Sequence, residues 1–329
     1  MRALSVIIPH FGDPRLLYEC LSSLSLRADD SCEVIVVDNG SEENPGQALL
    51  GCSLPVRFLR LSDNRGFAGA VNAGALSARG DDLLVLNNDA RLEPGTLDNV
   101  LLACRTYPDF GSFACRVMDA DSPAVIQSAG LVFHRVLYGN RSGAGLLVSA
   151  HNPVPVFAPC GAAACYRRDM YLALGGLDET YFMYYEDVEF GLRMISSGHR
   201  TLYVPTCGVI HELSATSSRV PGLRVRHMTR NAYLTIAKTI PLRLILQNAA
   251  VALDFHAKLG FRLLSGKGRG AYLRGLFEFL LMLPGVIARR ILHWRHTTRN
   301  RSELLEAVLY QGDLELNLPT RVWRYPERE

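Results

Sequence analysis

Short apolar runs alternate with helix-spaced segments over the first third of the chain. Leu4–Pro9 reads as a strand, and Pro14–Leu26 as a helix that gathers Leu16, Leu17, Cys20, Leu21 and Leu24 on one face. Glu33–Val37 is a second strand, ending at Asp38-Asn39-Gly40-Ser41, and Val56–Leu61 a third. A helix of small residues, Phe67–Ala78, leads into a fourth strand, Leu83–Leu86, which ends at Asn87-Asn88-Asp89. Pro94 then opens a helix to about Tyr107. Apolar runs without polar alternation belong to strands covered on both faces, so the spacing predicts an α/β fold with a mostly parallel sheet flanked by helices. Ligands of such sheets bind beyond the carboxyl ends of the strands. Pro9-His10, Asp38-Asn39 and Asn87-Asn88-Asp89 should therefore converge on one crevice.

From residue 111 to 160 the pattern turns irregular and Gly/Pro-rich, which predicts edge strands and loops. Arg168–Leu174 reads as a helix, and Thr201–Val204 and Gly208–His211 as two late strands. Between them, Tyr181-Phe182-Met183-Tyr184-Tyr185-Glu186-Asp187-Val188-Glu189-Phe190 sets aromatic and sulfur side chains against three carboxylates. Val188, Leu192 and Ile195 follow at helical spacing and Gly198 ends the segment, so the carboxylates fall in a first helical turn. Acids there cap free N–H groups and complement the dipole, a structural use that competes with a chemical one.

Charge divides the chain. Residues 1–218 carry 16 Lys/Arg against 24 Asp/Glu, whereas residues 219–301 carry 16 against 2, so a net +3 conceals an acidic body and a basic arm. We expect two units: 1–218, and a helical extension over 219–329. In the extension, Leu242–Phe255 and Leu273–Leu292 are apolar stretches bounded or broken by Pro241, Asp254, Glu278 and Pro284. Arg262, Lys267, Arg269, Arg274, Arg289, Arg290 and Arg295 lie between and within them, a pattern suited to an anionic membrane surface. A helical subdomain packed on the body or on another subunit, giving a homo-oligomer, is the alternative. Nucleic acid is disfavoured, because no recognition motif appears and aromatic interleaving is sparse. No apolar run reaches the roughly 18 residues of a spanning helix, and no secretory leader is visible. The eight cysteines, among them Cys52, are scattered without a C-x-x-C pair and read as reduced thiols of a cytosolic protein.

Asp89, at the mouth of a buried strand, is the first candidate metal ligand, because a divalent cation held by substrate phosphates needs only one or two protein carboxylates. His211 could add an imidazole. Glu186 and Asp187 are candidates for a general base at a substrate hydroxyl. The small residues of Asn64–Gly74 sit at a loop-to-helix junction, where backbone can approach a phosphate closely. Neither G-x-G-x-x-G nor a P-loop occurs, and no Ser-His-Asp or Cys-His arrangement can be assembled.

Taken in order, Ser5-Val6-Ile7-Ile8-Pro9 and Glu33–Ser41 resemble the opening of family 2 glycosyltransferases with the GT-A (Rossmann-like) fold. Asn64–Gly74, Leu86-Asn87-Asn88-Asp89-Ala90 and Gly175-Gly176-Leu177-Asp178-Glu179 are similar to the rhamnosyltransferase-like branch. Tyr184–Glu189, Arg193, Gly198, Pro205 and His211 complete a resemblance that covers residues 3–215. It implies inverting transfer of a sugar from a nucleotide-diphosphate donor, dTDP-rhamnose being the first candidate, to a hydroxyl of a lipid-linked or polysaccharide acceptor. By motif position, Pro9, Asp38, Asn64, Gly66, Asn72, Asn88 and Asp89 would surround the nucleotide sugar. Asp89 and His211 would hold manganese or magnesium, Asp187 would be the base, and Glu186 would shape the acceptor pocket. Such an enzyme would be cytoplasmic and peripheral on the inner face of the cell membrane. One position departs from the pattern: Asn87 stands where the family's first metal-site acid is expected. A non-catalytic nucleotide-sugar-binding protein, docking partners or membrane through its basic arm, is the alternative.

Overall fold

A computed structural model describes residues 3–24, 32–49, 55–143, 152–212, 221–294, 305 and 309–310. Cys52, Arg295 and residues 25–26 of the expected first helix lie outside them. The chain opens with β1 (Leu4–His10), α1 (Pro14–Ser22), β2 (Cys32–Asp38), a single turn α2 (Gly46–Leu49), β3 (Val56–Arg60), α3 (Gly66–Ser77) and β4 (Asp82–Leu86). Strands β1, β2, β3 and β4 pair in parallel, in the order β4-β1-β2-β3. β1 and β4 are buried at every position, as unbroken apolar runs covered on both faces require, whereas β3 at the sheet edge is only half-buried. Asp13 caps α1 through the Arg15 N–H, with Pro14 opening the first turn.

The stretch after β4 is more ordered than its sequence suggests. It forms β5 (Ala90–Leu92), α4 (Thr96–Thr106), β6 (Ser112–Asp119), β7 (Ile126–Ser128), β8 (Leu131–His134), β9 (Tyr138–Arg141), β10 (Val154–Val156) and β11 (Ala163–Arg167). The expectation of edge strands here needs correction, because β6 is central, lying between β12 (Thr201–His211) and β11. Ser112, Ala114 and Cys115 are small enough to pack on both faces, but runs this short carry no detectable period. The two expected late strands are one: β12 keeps pairing with β6 across a register shift between Val204 and Gly208. Pro205, which cannot donate to a ladder, sits at that irregularity. Strand β11 runs antiparallel to both β4 and β6, so the sheet is mixed but parallel across its β4-β1-β2-β3 half.

After β11 come α5 (Arg168–Ala173), a 3-10 turn at Glu179–Tyr181, α6 (Glu186–Ser196) and, beyond β12, four helices: α7 (Leu223–Thr239), α8 (Leu242–Gln247), α9 (Ala249–Ser265) and α10 (Arg269–Trp294). A short β13 (Leu309–Tyr310) pairs with β8, beside β9, in a second small sheet. The basic arm is not detached: Ala232, Leu234, Ile240, Leu244, Ala252 and Phe255 enter the same apolar core as β1, α3 and α6. Contrary to the expected break, α10 continues through Pro284. Its Arg269–Ile287 stretch, with mean hydropathy 1.4 and 11% buried, meets the length and apolarity of a membrane-crossing helix, which the sequence count of uninterrupted apolar residues does not reveal. The seven cysteines among the described residues form no disulfide.

Candidate active site

A cavity of about 310 Å³ opens at the carboxyl ends of the central strands. Pro9 and His10 reach it from β1, Asn39 from beyond β2, Asn64 and Gly66 from the start of α3, and Asn87, Asn88 and Asp89 from beyond β4. The opposite wall is built by Phe182–Val188, Gly161, Arg141, His211 and, from α7, Arg224 and Met228. Convergence of strand ends predicted from the sequence is therefore what the fold produces.

At one end, His211 Nε2 lies 3.1 Å from Asp89 Oδ1. The Gln127 side-chain oxygen Oε1 stands 2.6 Å from His211 Nδ1 and can only accept, so Nδ1 carries the proton. Asn87 Nδ2 donates to Nε2 at 3.3 Å, in keeping with a lone pair there. Two lone-pair atoms thus face each other, and Asp89 Oδ1 is buried without a hydrogen-bond partner. Cis ligands of a six-coordinate cation bound at about 2.1 Å stand about 3 Å apart, so this pair has the spacing of two metal ligands. No cluster of three or more His, Cys, Asp or Glu side chains able to hold a metal occurs among the described residues. A site here would take its remaining oxygens from phosphate and water, as magnesium and manganese sites on nucleotides do. Asn87 Oδ1, also buried and unpaired, is a further oxygen at the same place.

Facing this pair is the first turn of α6. Its three acids have different tasks. Glu189 is fully buried, accepts the Arg193 guanidinium at 2.8–2.9 Å and is paired with Lys238. Burial alone would raise it, but Arg193 and Lys238 hold it below its ordinary value, and Arg193 also ties down the Leu174 and Gly176 carbonyls. Glu189 is thus structural. Asp187 accepts the Gly161 N–H at 3.0 Å and the Val188 N–H at 2.8 Å, donors that favour its charge. Burial nonetheless pushes it upward. Glu186 has a buried oxygen with no partner, and burial and the neighbouring Asp187 push it up to about 8. Backbone N–H groups face Asp187 and none faces the free Glu186 oxygen, so the pair favours the proton on Glu186 and the charge on Asp187.

The segment that presents these acids is strained. Phe182, Tyr184 and Tyr185 all have positive φ, between 63° and 71°, a region costly for bulky residues. Asn231 from α7 holds it: its Nδ2 donates to the Tyr181, Met183 and Tyr184 carbonyls at 3.0, 2.9 and 2.7 Å. Arg230 donates to the Tyr181 carbonyl and positions the Asn231 amide through its oxygen, and His227 stacks on Phe182. Gly66 has φ +72°, and a Cβ there would stand 2.2 Å from the Phe182 carbonyl, so only glycine lets the α3 loop meet this segment.

The remaining expected residues fall in two groups. Asn64 lines the cavity and buttresses its loop, accepting from Asn39 Nδ2 and the Gly66 N–H. Asn88 is buried and donates to His10 Nδ1 at 3.0 Å; burial holds His10 below its ordinary value, as a neutral ring. Asp38 and Asn72 do not reach the cavity. Asp38 is buried beneath the Asn39–Ser41 turn, where it accepts the Ser41 N–H beside Arg60. Asn72 accepts from Tyr171 and the Leu177 N–H and donates to the Leu177 carbonyl and Glu179. Gln127, Arg141, Arg224 and Asn231 escaped the sequence reading, because they lie in the aperiodic stretch or the arm and carry no motif.

The sheet order and a cavity at its carboxyl edge define a GT-A fold. Residues 5–171 match the family described as Glycosyl transferase family 2, and the chain belongs to that family. The N-acetylglucosaminyl-diphospho-decaprenol L-rhamnosyltransferase of Mycobacterium tuberculosis (strain ATCC 25618 / H37Rv) is 29% identical over 240 residues, covering 66% of this chain and 78% of that protein. Among solved structures, the mannosyltransferase PcManGT from Pyrobaculum calidifontis, in complex with GDP-Man and Mn2+, superposes with TM-score 0.54 at 17% identity, covering 85% of this chain and 87% of its own. GalNAc-T7 with UDP, GalNAc and Mn2+ gives 0.60 at 15% identity over 72% of this chain, which spans 48% of that one.

Proposed function

We propose that the protein is an inverting glycosyltransferase that moves a sugar, dTDP-rhamnose being the first donor to test, onto a hydroxyl of a lipid-linked or polysaccharide acceptor. What supports the reading is that one cavity holds both the Asp89–His211 pair and the charged Asp187, with the strand-end residues between them. The acceptor hydroxyl gives its proton to Asp187 as its oxygen attacks the anomeric carbon, the bond to the diphosphate breaks on the opposite face, and the nucleoside diphosphate leaves. Asp89 and His211 would hold a divalent cation, manganese or magnesium, which neutralises charge on the departing diphosphate. Glu186, neutral beside Asp187, can donate to an acceptor oxygen and shapes that pocket. The likeness to the mycobacterial rhamnosyltransferase supports both the sugar and a lipid-diphosphate acceptor.

The same proposal places the enzyme on the inner face of the cell membrane. Exposed Phe261, Leu273, Phe277, Leu280 and Leu281 on α9 and α10 alternate with exposed Lys258, Arg262, Arg269 and Arg274, as an anionic interface requires. The deciding experiment is calorimetric titration of dTDP, UDP and GDP, with and without manganese, into the wild type and Asp89→Ala. Metal-dependent binding of one nucleotide, lost in the variant, is expected. Failure of all three to bind in either condition would refute the assignment.

A further inference from the structure

Two guanidinium groups line the cavity without an ion-pair partner among the described residues. Arg141, at the end of β9, and Arg224, in the first turn of α7, both line it. Among the described residues, no carboxylate lies within ion-pair range of either, and the Arg224 Nε donates only to Met228 Sδ, at 3.4 Å. The enclosed Arg167 and Arg193, by contrast, face Asp82 and Glu189. Arginine stays ionised in a protein, and an enclosed charge without a partner is costly, so an arrangement of this kind belongs to an anion that arrives with a ligand. Burial opposes the Arg141 charge and Arg224 opposes it further, while Asp187 and Asp119 favour it from beyond ion-pair range.

We infer that Arg141 and Arg224 form a phosphate-binding subsite for the acceptor, so that the molecule receiving the sugar carries a phosphate or diphosphate group close to the hydroxyl held by Asp187. The guanidinium fork matches phosphate oxygens bidentately. Both arginines come from elements outside the β1–β4 half that carries Pro9, Asn64 and Asp89, and the Arg141 charge acts on Asp187. The inference rests on the transferase reading above.

The test titrates octyl diphosphate, and octyl glucoside as its uncharged counterpart, into protein saturated with manganese and whichever nucleoside diphosphate binds. Octyl diphosphate should bind the wild type, and Arg141→Gln and Arg224→Gln should each weaken it about 10- to 100-fold while leaving nucleotide affinity within about twofold. Should the Arg141→Gln variant fold poorly, Arg224→Gln carries the comparison, with Arg141→Lys keeping the charge but losing the fork. Equal losses of nucleotide affinity would overturn the inference by moving the arginines to the donor. Unchanged octyl diphosphate binding in the variants, or equal binding of octyl glucoside, would overturn it by removing the subsite. A wild type that binds no nucleotide would instead remove the underlying transferase reading, a failure visible before any octyl compound is added.

Discussion

Replacing Glu186 by glutamine should stabilise the protein, by an amount that depends on pH. Glu186 is 5% exposed, one of its oxygens has no partner, and burial with the adjacent Asp187 pushes its proton affinity from an ordinary 4.5 up to about 8. In the unfolded chain the same group ionises normally. Between those two values the folded protein holds a proton that the unfolded chain releases. Stability is therefore complete below about pH 4.5 and declines as pH rises towards 8. At about 1.4 kcal/mol per pH unit, the wild type has forfeited roughly 3 kcal/mol by pH 7. Glutamine has the shape of the protonated acid and no proton to lose. Urea unfolding followed by circular dichroism at pH 5, 6, 7 and 8 should show the Glu186→Gln variant gaining on the wild type step by step, from near zero to about 3 kcal/mol at neutral pH, then levelling off. A stability difference that stays constant from pH 5 to 8 would mean that Glu186 is ionised in the fold, and the division of labour between the two acids would collapse.

Other expectations concern neighbouring groups. Asp187→Asn should lower kcat by about 10²- to 10⁴-fold with nucleotide affinity within about threefold; turnover that survives places the base elsewhere. Gln127→Leu takes away the acceptor of the His211 Nδ1 proton, and manganese-dependent nucleotide affinity should fall about 10- to 100-fold, an effect that titration with manganese omitted should not show. Asn231→Ala leaves the Tyr181, Met183 and Tyr184 carbonyls without their shared donor and should destabilise the protein by about 2–4 kcal/mol. A change in urea stability below about 0.5 kcal/mol would show that the strained segment is held by other contacts.

Much of the parallel half was readable from residue order. Leu4–Pro9, Glu33–Val37 and Leu83–Leu86 form strands because their runs tolerate burial on both faces, and the polar residues at their ends had to meet at one edge. Asp89, His211, Glu186 and Asp187 were likewise legible as residue types at telling places, and the fold brings all four to one cavity. Local order could not sort the three acids of α6. Glu189 is structural only because Arg193 lies one turn on and α7 delivers Lys238 from 49 residues away. Nor could it show that Asn72 is consumed by the Leu177–Glu179 turn, that Gln127 sets the His211 tautomer, or that Arg141 and Arg224 share one cavity with Asp187. Those pairings join residues distant in sequence through side-chain geometry alone. Local pattern thus determined which segments form the sheet and where its ligand edge lies, since burial and periodicity act over a few residues. Only the folded chain decided which acid is free, which is neutralised and which cation is left unpaired, because charge and hydrogen bonding depend on what stands within a few ångströms in space.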